Sequence, residues 1–311
     1  MIKIYNVAIL LSTYNGGNYL GKLLQSLYNQ KGNFRLHIYV RDDGSTDNTL
    51  SILYKFRDSF NNITILKGEN NLGPAKSFLT LLRISKKFDF YFFCDQDDIW
   101  KNDKVERAIN KLNEFKVGNY PLVYFSNATV VDSKLRSKGL VYKEKPHYDF
   151  YTIISYGGIL GCTICFNSYL ADLIKSKNMP SNLVMHDSFT TIICVLFNGK
   201  IIYDSKSTIL YRQHGDNSIG VRYKKLDKFK QALAYLFKKV NCTIPEQLNS
   251  ILKIYGSDLP IDNEKEEWIK LVLHSEDTLF HKINYIRNDR TSYRTRKTRI
   301  ISHMSIFLGN Y

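Results

Sequence analysis

The sequence has no uninterrupted apolar run approaching the roughly 18 residues that a membrane-crossing helix needs. Its first apolar run, Val7 to Leu11, is five residues long and has no cleavage site behind it, so no secretory leader is expected. Cysteine is scarce, five in 311 residues, and the count is odd. Without a leader, that points to a reducing compartment rather than a disulfide scaffold. The chain is expected in the cytoplasm, with peripheral attachment to the inner face of the cell membrane left open. Cys162 and Cys165 form one Cys-x-x-Cys. It lacks a second pair and a histidine at zinc-ligand spacing, and its apolar surroundings mark both as buried small hydrophobes. No G-x-G-x-x-G follows the first strand, which disfavours a dinucleotide fold, and the absence of G-x-x-x-x-G-K-[ST] excludes a P-loop. There are no internal repeats, no low-complexity tracts and no RNA- or DNA-binding signature, so nucleic acid is not an expected partner.

Acidic residues are outnumbered, 29 to 44, giving a net charge of +15. That balance favours anionic partners such as phosphorylated substrates or an anionic membrane surface. The remaining composition, 44% hydrophobic and 23% charged, is that of an ordinary globular chain. Aromatics at 14%, including 22 tyrosines, provide core filling and rings for stacking on a ligand.

Strand and helix signals alternate over the first hundred residues. Strands are expected at Val7–Leu11, His37–Val40, Ile63–Leu66 and Phe90–Cys94. Helices are expected at Tyr19–Asn29, from a cap at Ser45 or Thr46 through Phe56, and from Ala75 to Ser85 behind Gly73-Pro74. Repeated βα units of this length give an α/β fold, a mostly parallel sheet flanked by helices. Beyond Trp100 the alternation loosens. A helix is expected over Lys104–Phe115, strands at Leu122–Phe125, Ala128–Val131 and Ile159–Phe166, and a loop over 136–152. A capped helix follows at Met185–Leu196, then short strands at Ile201–Asp204 and Thr208–Tyr211.

Four polar loops follow the four expected parallel strands. They are Ser12-Thr13-Tyr14-Asn15-Gly16-Gly17, Arg41-Asp42-Asp43-Gly44-Ser45-Thr46-Asp47, Asn70-Asn71-Leu72-Gly73-Pro74-Ala75-Lys76 and Asp95-Gln96-Asp97-Asp98. In a parallel sheet all four lie on one edge, where open α/β sheets bind ligands. Any one could be ordinary turn chemistry. Together, with a tyrosine, a lone Asp, a Lys and an acid cluster, they read as one nucleotide site. Three acids within four positions raise one another's pKa and stay ionised most easily around a cation. Oxygen ligands on a short turn suit Mg²⁺ or Mn²⁺ shared with substrate phosphates. The alternative reading of this turn is a solvated helix cap.

In combination these loops, with Asp-Gln-Asp-Asp-Ile-Trp, His186-Asp187 and Tyr211-Arg212-Gln213-His214-Gly215-Asp216-Asn217, resemble an inverting family-2 glycosyltransferase of the GT-A, Rossmann-like fold. The resemblance covers about residues 5 to 220. It is nearest the bacterial rhamnosyltransferase-like group that builds capsule, O-antigen and rhamnan. It implies that Ser12 and Tyr14 line the base and ribose pocket and that Asp43 accepts the N3–H of uracil or thymine. Lys76 would sit near the base or diphosphate, or else be a solvated helix lysine. Asp95 and Asp97 would form the D-x-D, with Asp97 the direct metal ligand, and Asp98 would hold the turn or touch the donor sugar. Asp187 would be the catalytic base, His214 would reach back to Mn²⁺ or Mg²⁺, and Arg212 or Arg222 would add charge at the diphosphate. Ser188-Phe189 departs from the aromatic pair usual after His-Asp. The implied donor is dTDP-β-L-rhamnose, with UDP-galactose or UDP-glucose as the alternative, and the implied acceptor is a lipid-linked saccharide or polysaccharide. A nucleotidyltransferase would need a Gly-rich, Arg/Lys-containing signature near the N-terminus, where Ser12-Thr13-Tyr14-Asn15-Gly16 stands. A non-catalytic scaffold would not need Asp95, Asp97, Asp187 and His214 together.

From residue 221 the character changes. Residues 221–311 hold 17 Lys+Arg and 10 Asp+Glu, about +7 of the total charge. Arg222 to Lys239 reads as a basic amphipathic helix, suited either to packing on the catalytic domain or to lying on an anionic membrane. The expected division is a glycosyltransferase domain over 1–220 and a basic helical C-terminal region over 221–311.

Overall fold

The computed structural model describes residues 3–115, 120–213, 242–292 and 296–308. The expected basic helix Arg222–Lys239 and the candidate ligand His214 lie outside these residues. The first half alternates as the sequence suggests: β1 Tyr5–Thr13, α1 Leu20–Tyr28, β2 Phe34–Asp42, α2 Thr49–Ser59, β3 Ile63–Lys67, α3 Gly73–Ile84 and β4 Phe90–Asp95. There follow β5 Ile99–Trp100, α4 Lys104–Asn113, β6 Leu122–Val131, β7 Ser137–Leu140, α5 Phe150–Tyr156, β8 Ile164–Asn167, α6 Ser168–Lys175, α7 His186–Leu196 and β9 Lys200–Arg212. The C-terminal part is helical: α8 Ile244–Tyr255, α9 Asn263–Leu273, α10 Leu279–Arg287 and α11 Arg296–Phe307.

The sheet runs β3-β2-β1-β4-β8-β6-β9-β5, with β7 paired to β6. β1 to β4 are parallel, β8 is antiparallel to both β4 and β6, and β9 is parallel to β6. This is the mostly parallel, helix-flanked GT-A architecture. Central strands are buried on both faces, which is why they read as unbroken apolar runs. On β1, Ala8 and Leu10 face one core, while Val7, Ile9 and Leu11 face the other. The second core is covered by Leu20, Leu23, Leu24 and Leu27 of α1 and by Val105, Ala108, Ile109 and Leu112 of α4. The first is covered by α3, α6 and α7, and it runs on without a break into Leu248, Ile251, Trp268, Val272, Tyr285 and Ile306. The C-terminal helices thus contribute to the same apolar core as α3, α6 and α7.

Several expected boundaries moved. Leu122–Phe125 and Ala128–Val131 are one strand, because the polar residues between them are satisfied in place. The Ser126 hydroxyl pairs with Thr208 Oγ1 at 2.6 Å, and Asn127 Nδ2 donates to the Tyr142 carbonyl at 2.6 Å. β9 is continuous for the same reason: Asp204 accepts from Tyr124 Oη at 3.0 Å and from Arg107 Nη2 at 3.0 Å. Residues 136–152 hold β7, whose exposed residues show no apolar alternation, and the start of α5, capped by Asp149. In Ile159–Phe166 only Ile164 onward is strand, after a 3₁₀ turn at Gly161–Thr163. α2 starts at Thr49 rather than after Ser45 or Thr46, since Ser45 is turned back onto Asp42 by two hydrogen bonds of 2.9 and 2.6 Å.

Candidate active site

The parallel register brings the ends of β1, β2 and β4 level, with Ser12 beside both Arg41 and Asp95. The loops beyond them are cross-braced by side chains. Gln96 holds loop one at both backbone groups of Tyr14, accepting its N–H and donating to its carbonyl, each at 2.9 Å. A Cβ on Gly16 would stand 2.2 Å from Gln96 Oε1, so this approach requires glycine. Asn15, at φ 49°, accepts from the Thr46 amide at 2.9 Å. The Asp43 carboxylate is buried and reaches loop three, accepting from the amides of Leu72 at 2.9 Å and Gly73 at 2.8 Å. It also receives Arg41 Nη1. A carboxylate has about four lone-pair sites, so one remains for a ligand donor. Ser12 Oγ donates to Ser77 Oγ at 2.8 Å. Tyr14 is 49% exposed, and Lys76 is exposed on the first turn of α3.

The acid turn hangs from the end of β4. Asp98 is buried, and its Oδ1 accepts the Arg212 amide at 2.9 Å. Its Oδ2 has no hydrogen-bond partner among the described residues. Arg212, itself 2% exposed, donates Nε to the Asp97 carbonyl at 2.7 Å and Nη1 to the Ser133 carbonyl at 2.9 Å. Its guanidinium carbon lies 4.7 Å from the Tyr19 ring centre. The side chain expected at the diphosphate is therefore buried against the acid turn. Burial, and then the charges of Asp97 and Asp187, lift the Asp95 carboxyl to about 7. Burial, then Asp97 and Asp95, push Asp98 well above the usual carboxylate range. Carboxylate oxygens of Asp95 and Asp98 and Cys162 Sγ lie within 4.8 Å of one another. Burial keeps the Cys162 thiol protonated, so the donors available to a cation are hard carboxylate oxygens. Asp97, the expected direct ligand, is not in that group but stands half-buried on the same turn and offers a further oxygen; such oxygens fit Mg²⁺ or Mn²⁺, and a cation there relieves the mutual repulsion. Beneath the turn, the fully buried Lys104 places Nζ 4.8 Å from the Trp100 ring centre. Burial lowers its pKa, while Cys162, Cys94, Cys165 and Asp98 act to raise it.

Asp187 lies in the first turn of α7, where Oδ1 accepts the Ser188 amide at 2.7 Å. The side chain thus satisfies a free N–H of the first turn, while the N-cap, Met185, supplies no side-chain cap. Burial lifts its carboxyl to about 6, close to the value that suits a general base near neutral pH. Beside it, His186 is wedged between Phe78 and Phe93, with ring centroids 3.9 and 4.5 Å away. Burial drives its pKa down to about 3, so it is neutral, and neither ring nitrogen has a partner among the described residues.

Sequence reasoning passed over three supports. Gly161 faces the candidate base: a Cβ there would stand 2.8 Å from Asp187 Oδ2 and 3.0 Å from His186 Nε2. Gly161→Ala is expected to displace the carboxylate and lower kcat by on the order of 10²-fold, since ångström-scale misplacement of a reacting group costs about that much. Donor KM should stay nearly constant; steady-state kinetics checks it. Gln247 of α8 braces the N-terminal end of α7, donating to Ser188 Oγ at 3.0 Å and accepting the Val184 amide at 2.7 Å. Its signal was a lone amide on the apolar stripe Ile244, Leu248, Ile251. Gln96 stood inside a recognised motif with no role given to it.

Comparison with known proteins follows this geometry. The sequence model of glycosyl transferase family 2 matches residues 8–176. The dTDP-rhamnosyl transferase RfbG of Shigella flexneri is 33% identical over 230 residues, covering 71% of this chain and 77% of that protein. The UDP-Glc:alpha-D-GlcNAc-diphosphoundecaprenol beta-1,3-glucosyltransferase WfaP of Escherichia coli is 22% identical over 253 residues, 79% of this chain and 94% of that one. Among solved structures, the mannosyltransferase PcManGT of Pyrobaculum calidifontis, in complex with GDP-Man and Mn²⁺, superposes with a TM-score of 0.54 at 15% identity, covering 98% of this chain and 85% of that chain.

Proposed function

Because the chain belongs to glycosyl transferase family 2, we propose that it transfers L-rhamnose from dTDP-rhamnose to a lipid-linked saccharide, with inversion. One observation carries the mechanism: Asp187 lies against Gly161, and the next residue, Cys162, lies against Asp95 and Asp98, so the two sets of acids are neighbours and the charge of Asp187 acts to raise Asp95. In this reading an acceptor-side base stands beside a diphosphate-side acid cluster.

In this reading the nucleoside lies over the first three loops. Ser12 and Tyr14 line the base and ribose, and the remaining lone pair of Asp43 takes the N3–H of thymine. Lys76 faces the base or diphosphate. Asp97, with Asp95, would hold Mn²⁺ or Mg²⁺, and His214 would complete the set. The ion, when bound, supplies Lewis-acid stabilisation of the leaving nucleoside diphosphate. Asp98 and Arg212 act as positioning residues that fix the turn. Asp187 removes the proton of the acceptor hydroxyl as its oxygen attacks the anomeric carbon opposite the diphosphate, through an oxocarbenium-like transition state. One displacement inverts the centre, so a β-linked donor gives an α-linked product.

The rhamnose preference rests on the relation to RfbG, and the lipid-linked acceptor on the GlcNAc-diphosphoundecaprenol on which WfaP acts; a UDP-hexose donor is the second reading. A panel of nucleotide sugars assayed with and without Mn²⁺ tests both. dTDP-rhamnose should be consumed at least tenfold faster than UDP-glucose or UDP-galactose, and the NMR coupling of the product should show the α anomer. A retained configuration would overturn the single displacement.

A further inference from the structure

Helices α10 and α11 are apolar on two sides. On α11, Ser305 and Ile306 face inward and are at most 2% exposed. The opposite stripe, Ile300, Met304, Phe307 and Leu308, is 45–51% exposed at spacing i, i+4, i+7, i+8. On α10, Tyr285 is fully buried while Leu279 and Phe280 are 63% and 74% exposed. Lys282 ties the helices together by donating to the Phe307 carbonyl at 2.9 Å. A helix of a water-soluble protein ordinarily shows one apolar stripe, with polar residues opposite. A second stripe that is contiguous and rimmed by charge marks an interaction surface. Of the 15 large hydrophobics exposed among the described residues, seven fall within residues 279–308.

Charge selects the occupant. Residues 279–308 contain seven Lys+Arg and a single acid, Asp289. That acid is turned inward: its side chain is fully buried, 2.7 Å from His303 Nε2 and 4.0 Å from Arg299 Nε. Among the described side chains this stretch exposes Arg287, Arg290 and Arg299, of which Arg290 is paired at 2.6 Å with Glu264 of α9, and it exposes no carboxylate of its own. A second copy of the same face would meet it with like charge. Among the described residues no helix is long and apolar enough to cross a membrane, which leaves attachment in the interfacial plane. We propose that the α10–α11 face docks on an anionic lipid surface, with Leu279, Phe280, Met304 and Phe307 entering the boundary between headgroups and acyl chains and the surrounding Lys and Arg pairing with headgroups. The biological sense of this docking rests on the lipid-linked acceptor proposed above; the lipid contact itself is separately measurable.

The test is co-sedimentation of the full chain with phosphatidylglycerol or phosphatidylcholine vesicles, in low and high salt. It is run for the wild type and for the triple variant Phe280→Ser, Met304→Ser, Phe307→Ser, whose positions lie outside the active-site machinery. The wild type should partition to phosphatidylglycerol at least tenfold better than to phosphatidylcholine, and less so in high salt. The variant should lose that partition on the order of tenfold or more while keeping its thermal midpoint and its transfer to a soluble acceptor. A wild type that binds neither vesicle overturns the docking, as does a variant that binds like the wild type or a salt-independent dimer that the variant abolishes. Rhamnosyl transfer that persists in those cases leaves the catalytic reading standing; vesicle binding without any transfer leaves the docking standing and sinks the catalytic reading.

Discussion

Replacing Asp187 with Asn is expected to lower kcat by ~10²–10⁴, the usual weight of a positioned base, while donor affinity hardly changes. The amide keeps the shape of the side chain and its bond to the Ser188 N–H through its carbonyl oxygen, but it cannot take a proton. Stopped-time assays with saturating donor separate this from misfolding, as does an unchanged thermal midpoint. The wild type adds a pH signature. Burial raises the Asp187 carboxyl to about 6, and only the ionised form acts as a base. kcat/KM should therefore climb with pH up to about 6, fall roughly tenfold per unit below it, and lose that limb in the variant. Normal turnover by Asp187→Asn would reduce this residue to a helix cap.

The second large effect concerns the acid turn. Exhaustive chelation should abolish transfer, and Mn²⁺ should restore it. Asp97→Asn should weaken metal-dependent binding of the nucleoside diphosphate and lower the rate by on the order of 10²–10³-fold, since Lewis-acid stabilisation of a leaving phosphate is worth several kcal/mol. Metal binding also has a readout independent of turnover. Ionised Asp95, Asp97 and Asp98 repel one another without a counter-ion, so Mn²⁺ should raise the thermal midpoint of the wild type and do so much less in Asp97→Asn. Full activity in the presence of a strong chelator would remove the ion from the scheme.

Half of this molecule could be read from its sequence for a physical reason. Strands β1 and β4 are buried on both faces, so Val7–Leu11 and Phe90–Cys94 stand out without any knowledge of their partners. The polar loops sit where the alternation says strand ends must be, and the motif residues converge there. What could not be read depends on distant partners. Ser126, Asn127 and Asp204 look like breaks until Thr208, Tyr142, Tyr124 and Arg107 arrive to satisfy them. Arg212 reads as a charge for a diphosphate, and only the fold shows that it also braces the turn through the Asp97 carbonyl, beside Tyr19. Gly161 carries no signal in its own segment and Gln247 only that of a lone amide on an apolar stripe, since what matters is the carboxylate opposite the one and the helix end opposite the other.

The amide of Gln247 limits how this family can be recombined. It spans from a helix beyond the compositional change at 221 to the end of the helix that carries Asp187. A chimera joined at that change would inherit the strands, the loops and every motif residue, yet leave the base-bearing helix end without its prop. The C-terminal helices of this chain are thus not an interchangeable cartridge. The seam that preserves catalysis runs through the shared core, and a graft has to carry α8 along with whatever lies beyond it.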